Sequence, residues 1–318
     1  MHPVFIRLPF LPESFQEIYS YGLMMVLGFL CGYWLAYRLA KRCGQNPAEL
    51  TNMAVIALLS GVAGARAMYV LQFWKEEYAG QPIWKALNVR DGGLEFYGGV
   101  ILALTVVAIY FLWRKLPVRF YFDIMAPALM LGLAFGRMGC FLNGCCYGKI
   151  CDLPWAVSFP YGSYAYLDHL SQGKLTVPPE LSNGAGGIIH PKELTAQQKI
   201  VARARENRSL RVHPAQLYGA ITALALCGIL RWYFWKRRYE GQGFLLMILL
   251  YGVARFVLEL FRTEPKVAET GLSISQVVSV IMVSCALICW MWMIRKPGGR
   301  VDPQTGRIIA KEKLKNTR

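Results

Sequence analysis

Seven apolar runs, each close to the length that crosses a hydrocarbon layer, constrain this chain more than any motif does. They are residues 19–40, 53–74, 96–113, 120–141, 215–233, 243–261 and 274–294. A bilayer core of about 30 Å needs ~20 mostly apolar residues per helix. A soluble protein buries one or two such runs, and seven leave little room for that reading. Composition agrees: hydrophobic residues are 55% and charged residues 17% of 318, with mean hydropathy +0.33. The expected fold is an all-α integral membrane protein with seven transmembrane helices, the third and fifth short. The opening MHPVFIRLPFLPES lacks a basic region followed by an apolar core, so it does not read as a cleavable signal peptide and the first helix is expected to be retained.

The short loops give an orientation. Lys41 and Arg42 follow the first run, Arg114, Lys115 and Arg119 the third, Lys236, Arg237 and Arg238 the fifth, and Arg295 and Lys296 the seventh. The alternate loops are balanced, Lys75 by Glu76 and Glu77, and Lys266 by Glu264 and Glu269. The positive-inside rule then puts the N-terminus outside and the C-terminus in the cytoplasm. The net charge of +16 is mostly this signal, with attraction to anionic membrane lipids added. No nucleic-acid partner is expected, because the basic tail is too short to fold as a domain. The expected organisation is helices 1–4 in residues 1–139, a small external head in 140–212, helices 5–7 in 213–294 and a basic cytoplasmic tail in 295–318. Within the head, residues 193–208 read as one amphipathic surface helix whose large apolar residues are Leu194, Ile200 and Val201. Gly92-Gly93 and Gly98-Gly99 do not fit a G-x-G-x-x-G nucleotide fingerprint.

Three arginines stand inside the apolar runs: Arg66, Arg137 and Arg255. A charge in such a segment costs roughly 2.5–3.5 kcal/mol even on the lenient insertion scale, so it marks function by default. Arginine stays charged and presents a planar fork that matches phosphate oxygens. Two of them in one cavity would bind a phosphodiester and stabilise a phosphate leaving group. Arg137 is expected where the fourth helix reaches the outer face, and Arg255 about mid-way along the sixth. The competing reading is an intramembrane ion pair, for which Arg255 and Glu259 have i, i+4 spacing.

At this point the residues resemble the prolipoprotein diacylglyceryl transferase family. Gly136, Arg137, Gly139, Phe141, Asn143, Gly144 and Gly148 meet that family's GR-x-G-x-F-x-N-G-x-x-x-G signature. His213, Pro214, Gln216, Leu217 and Tyr218 resemble its H-P-x-Q-L-Y element, and Tyr251, Gly252, Arg255, Glu259 and Arg262 its Y-G-x-x-R-x-x-x-E-x-x-R element. Tyr21-Gly22-Leu23 and Gly64-x-Arg66-x-x-Tyr69 are similar to shorter segments. The resemblance implies transfer of a diacylglyceryl group from phosphatidylglycerol to the lipobox cysteine thiol of a prolipoprotein signal peptide, giving a thioether and glycerol 1-phosphate. It implies a bacterial inner (plasma) membrane location, an active site towards the outer face, and no metal or redox cofactor. Carried over residue by residue, Arg137, Arg255, Tyr97 and His213 are the expected catalytic residues. Tyr21, Arg66, Asn143, Gly148, Glu259, Arg262, Gly98 and Gly99 are the expected substrate-binding ones.

The chain departs from the family where chemistry is expected. Tyr97 stands where the family has the His of His-Gly-Gly; Cys140 and Cys145 replace an Asn and an acidic residue, and Gly219 a Glu. A phenol with pKa about 10 is a poor base beside an imidazole near about 6.5. His213 is the natural replacement, with Glu95 the other candidate. Thiolate stabilisation by arginines is expected to carry more of the work than a strong base. Cys140, Cys145, Cys146 and Cys151 cluster in sequence. On an oxidising outer face disulfides are the plain reading. Free packing thiols and a metal site are the alternatives, though the usual C-x2-C zinc pairs are missing. Cys31, Cys227, Cys285 and Cys289 read as small buried apolar residues. Two other functions fit parts of the pattern: a polytopic thiol-redox protein using the Cys140–Cys151 cluster, and a transporter of an anionic lipid or solute.

Overall fold

Glycines decide how closely the helices of this chain pack. The computed structural model of the chain describes residues 4–7, 17–88, 93–183, 187–191, 193–262, 271–295, 301–302 and 305–306. Strands β1 (Val4–Arg7) and β2 (Glu17–Tyr19) pair antiparallel in one short hairpin, and the fold is otherwise all-α as expected. Helix α1 (Ser20–Arg42) follows and ends on basic Lys41 and Arg42, which complement the negative end of the helix dipole. Helix α2 (Pro47–Gln72) starts from Asn46, whose side chain accepts the Ala48 N–H, with Pro47 in the first turn. After a short α3 (Ile83–Leu87) come α4 (Phe96–Trp113) and α5 (Val118–Asn143). Further on are α6 (Tyr164–Ser171), α7 (Ala196–Arg203), α8 (Ala215–Phe234), α9 (Gln242–Glu259) and α10 (Ile274–Arg295). The α1–α5 and α2–α4 pairs are built on small residues. A Cβ on Gly28 would stand 3.1 Å from the Gly132 carbonyl, one on Gly32 3.0 Å from that of Ala128, and one on Gly99 2.8 Å from that of Gly61. Backbones this close are the membrane-helix solution to packing without a hydrophobic driving force.

Six described helices, α1, α2, α5, α8, α9 and α10, are long and apolar enough to cross a membrane. At most 33% of the most apolar window of any of them is buried by the rest of the chain. Leu59, Leu71, Leu104, Ile221 and Ile288 point outward. Such faces need hydrocarbon, not water. The third expected run corresponds to α4, whose apolar stretch from Tyr97 to Trp113 is shorter. Cys285 and Cys289 are exposed on α10, contrary to the expectation of buried thiols; Cys227 is buried.

Helix α5 lies at the centre, against α1, α8 and α9. Its first half carries Ile124, Ala126 and Met130 into the main core with Leu35, Leu39, Leu230 and Phe234. Asp123 in this stretch is wholly buried and forms a 3.0 Å ion pair with a wholly buried Arg237. It also accepts the N–H groups of Gly241 at 2.8 Å and Phe244 at 2.9 Å. One carboxylate therefore fixes α5 to the turn between α8 and α9. The tail was expected to be a basic extension. Its described residues fold back, the Val301 N–H donating to the Arg238 carbonyl, while 296–300, 303–304 and 307–318 lie outside the described residues.

The segment between α5 and α8 has its own small core of Tyr161, Tyr166, Leu181, Leu194 and Ala202. The amphipathic helix expected over 193–208 is shorter. It is α7, capped by a reciprocal Thr195–Gln198 box, then a 3-10 turn at Arg205–Asn207. Leu194 is buried while Ile200 is exposed. Gly184, Ala185 and Gly186 lie outside the described residues, as do Lys266, Glu264 and Glu269 of the balanced loop.

The buried ion pair generates a stability prediction. Asp123→Ala strands the Arg237 charge and should cost about 3–5 kcal/mol, read as a lower Tm in detergent, whereas breaking the exposed side of Arg114–Glu49 should cost far less.

Candidate active site

Arg137 lies in the last two turns of α5. Its stem runs over Gly219 of α8, where a Cβ would sit 3.4 Å from the Arg137 Cγ and Cδ. A glycine in place of the family's Glu therefore leaves room for the arginine and puts no carboxylate beside it. Among the described residues nothing pairs with the Arg137 guanidinium. Together with Leu133, Gly219, Thr222, Tyr251, Arg255 and neighbouring residues it lines a narrow cleft between α5, α8 and α9 with a cavity volume of about 10 Å³.

Arg255 faces the same pocket. It sits in the last turns of α9, nearer the helix end than the mid-way position expected, and so level with Arg137. The i, i+4 ion pair with Glu259 forms at 2.9 Å, and Nη2 donates to the Ser275 hydroxyl of α10 at 2.8 Å. Glu259 is nearly buried, with 3% of its side chain exposed, against 17% for Arg255. Arg255 is thus aimed by a carboxylate and a hydroxyl, whereas Arg137 has no such partner among the described residues. Ser275 carried no signal in the sequence.

The end of α5 gathers a second group. Gly144 adopts φ +76 and the Cys145 N–H reaches back to the Cys140 carbonyl at 3.1 Å, with Gly144 N–H to the Phe141 carbonyl at 3.3 Å. This is a Schellman ending, and glycine is needed for its left-handed residue. Cys146 follows with φ +59. The turn brings the sulfurs of Cys140, Cys145 and Cys146 within 4.8 Å of one another. Asn143 Nδ2 lies 3.8 Å from the Cys145 sulfur. Gln216, fully buried on α8, donates to the Cys145 carbonyl at 2.7 Å. Hydrogen bonds from the Cys140 and Cys145 thiols, then the charges of Arg262 and Arg137, hold the Cys146 thiol well below its usual range. Tyr21 of α1 lies within the field of Arg137 and of all three cysteines, packed over Gly139. No disulfide forms among the nine cysteines, and Cys151 continues away, its N–H donating to the Arg211 carbonyl at 3.0 Å. The disulfide reading is corrected by that turn, which separates the fourth cysteine from the other three.

Gly148 joins this group to His213. Its N–H donates to the His213 carbonyl at 2.9 Å, and the next N–H, of Lys149, donates to the Phe261 carbonyl at 2.8 Å. A Cβ on Gly148 would lie 2.6 Å from the Phe261 carbonyl. The His213 ring stands 5.4 Å from Phe261, with Nδ1 3.3 Å from the Tyr218 hydroxyl, which also accepts the Trp155 indole N–H at 2.7 Å.

The remaining expected residues stand elsewhere. Arg66 is buried and donates to the carbonyls of Ala86 at 2.8 Å, Gly93 at 3.1 Å and Lys85 at 3.1 Å. Its fork organises the chain that leads to α4. Gly98 and Gly99 are buried against α2, Gly99 against Gly61 and Ala65. Tyr97 begins α4 with 69% of its surface exposed and is not among the pocket residues.

Gly148→Ala should cost about 1–3 kcal/mol through overpacking against backbone, seen as a lower Tm. Gly22→Ala, with no atom within 4 Å of the new Cβ, should leave Tm unchanged.

The prolipoprotein diacylglyceryl transferase family model matches residues 9–292. Relatives named phosphatidylglycerol–prolipoprotein diacylglyceryl transferase include that of Pasteurella multocida, 32% identical over 269 residues, covering 82% of this chain and 80% of the relative. That of Chromohalobacter salexigens is 30% identical over 288 residues, covering 88% and 90%. That of Clostridium tetani is 29% identical over 276 residues, covering 86% and 93%. With six helices long and apolar enough to cross a membrane and a match across nearly its whole length, the chain belongs to the prolipoprotein diacylglyceryl transferase family.

Proposed function

We propose that this protein transfers the diacylglyceryl group of phosphatidylglycerol to the lipobox cysteine thiol of a prolipoprotein, releasing glycerol 1-phosphate. The observation that carries the reading is Arg137, a guanidinium without a partner among the described residues, in a pocket shared with Arg255. A phosphodiester entering from the lipid would supply the missing counter-charge. As the glyceryl carbon–oxygen bond breaks, negative charge grows on the phosphate, and preorganised cations stabilise that change most where water is excluded. The aim of Arg255 is already fixed by Glu259 and Ser275. Arg262 and Tyr21 border the neighbouring thiol group and complete the polar wall. The exposed apolar faces of the helices provide the route for acyl chains.

The acceptor thiol reacts as thiolate. His213, oriented by Tyr218, is the best-placed base, and Tyr97 serves as a hydrogen-bond donor to substrate. Arg66, Gly98 and Gly99 act at one remove by setting the position of the start of α4. The chain crosses the membrane seven times, α4 included, with the N-terminus outside, the C-terminus in the cytoplasm and the segment between α5 and α8 forming an external head. The active site then faces outward from a bacterial inner membrane. The distribution of basic loop residues supports this orientation.

Purified protein incubated with phosphatidylglycerol and a lipobox peptide should give a diacylglyceryl thioether by mass and free glycerol 1-phosphate. Movement of lipid without either product would favour transport instead. Arg137→Ala should lower kcat by at least about 10²-fold, roughly 2.7 kcal/mol or more. Arg137→Lys should not restore it, since a point charge lacks the fork. Tyr97→Phe should slow turnover by about 10- to 100-fold, roughly 1.4–2.7 kcal/mol of barrier. Its inactivity at every pH, with His213→Ala unaffected, would assign the proton to the tyrosine.

A further inference from the structure

The three clustered cysteines are not used by the chemistry above, and their geometry is specific. Cys140 is on the last turn of α5; Cys145 is brought back over it by the Schellman turn; Cys146 adopts φ +59, which L residues rarely hold. The result is three sulfurs within 4.8 Å of one another. Three thiolates on one tetrahedral zinc, with Zn–S of about 2.3 Å, stand about 3.8 Å apart. Small side-chain rotations close that difference. The positive charges of Arg137 and Arg262 lie near Cys146, and the Asn143 amide points at the Cys145 sulfur from 3.8 Å. Gln216 fixes the backbone at Cys145 from behind, as partners outside the ligand shell do in metal sites. Zinc with three thiolates carries one net negative charge, which these arginines offset.

The number of ligands matters. Structural zinc sites close with four protein ligands, whereas catalytic ones supply three and keep a position open. Among the described residues the cluster contains three, and Cys151, whose backbone N–H donates to the Arg211 carbonyl, is not one of them. We infer that Cys140, Cys145 and Cys146 hold a zinc ion whose fourth position takes the acceptor cysteine as its thiolate. This inference rests on the transferase reading. The acceptor S–H proton leaves to His213 or water as sulfur binds zinc, because a coordinated thiol is deprotonated outright. The sulfur then forms a bond to the glyceryl carbon. The carbon–oxygen bond breaks, its electron pair stays on the phosphate oxygen beside Arg137, and the neutral thioether, a weaker donor, leaves the metal. Nothing is oxidised or reduced. The device supplies a thiolate where Tyr97 replaces the family's histidine.

The test uses the full chain, purified in detergent under reductant, exposed to zinc and dialysed. Metal analysis should find one zinc per chain. Cys140→Ser, Cys145→Ser and Cys146→Ser should each lower this at least tenfold, whereas Cys151→Ser should keep it. Cobalt in place of zinc should give thiolate-to-metal absorption whose visible bands change on adding a lipobox peptide, but not its Cys→Ser counterpart. Those spectra are read on the unmutated chain, so they decide the matter even where a serine variant fails to fold. No bound zinc, a disulfide among the three cysteines, or cobalt bands indifferent to the peptide thiol would each overturn the inference. Full turnover in a zinc-free chain would overturn it while leaving the transferase reading intact. Bound zinc with a peptide-dependent cobalt spectrum but no thioether product would instead sink the transferase reading and leave the metal site standing.

Discussion

The ion pair of Asp123 and Arg237 is the contact on which the arrangement of the central helix depends. Both groups are fully buried, so neither has water to fall back on. A buried charge is tolerated only when its partner and its hydrogen bonds are complete. Asp123 meets that condition with one guanidinium and the N–H groups opening α9. The consequence is geometric more than energetic. α5 and the start of α9 share one origin at the end of the bundle away from the pocket, so Arg137 and Arg255 arrive at the other end in register. Small residues along α1 and α8 let α5 sit close enough for that register to hold.

At the pocket end the governing rule is that polar groups in apolar surroundings must be satisfied within the chain. Arg66 fulfils it with three backbone carbonyls, and Arg255 with Glu259 and Ser275. Arg137 has no such partner among the described residues, and that contrast is what the proposed site rests on. The same rule explains the backbone around it. The freed carbonyls at the end of α5 are taken by the Schellman turn, the Cys145 carbonyl by Gln216, and the His213 carbonyl by Gly148.

Much of this was legible in the sequence because the signals are local. Apolar length marks the spans, and the insertion cost of charge marks Arg137 and Arg255. Arg66 gave the same signal, yet sequence does not tell an arginine capped by nearby carbonyls from one left for a ligand; that depends on where the carbonyls of Lys85, Ala86 and Gly93 lie. Gly98 and Gly99 belong to a motif, and motif membership does not distinguish packing against Gly61 and Ala65 from contact with substrate. Asp123 and Arg237 are far apart in the chain and their pairing follows only from tertiary structure. The cysteine spacing could not show three sulfurs converging, because this depends on left-handed backbone at both Gly144 and Cys146.

The two halves of the site also constrain each other electrically. Arg137 faces the pocket and at the same time lends charge to Cys146. A phosphodiester bound to Arg137 partly cancels that field at the thiols. The thiolate must nonetheless persist while the lipid phosphate is bound, so another cation is needed beside the sulfurs. Arg262 meets part of this need, its charge also acting on Cys146. Substrate order and charge are thereby linked: whichever anion binds first weakens the hold on the second through the shared arginine, and the reaction relieves that conflict by turning the thiolate into a neutral thioether while the charge collects on the departing phosphate.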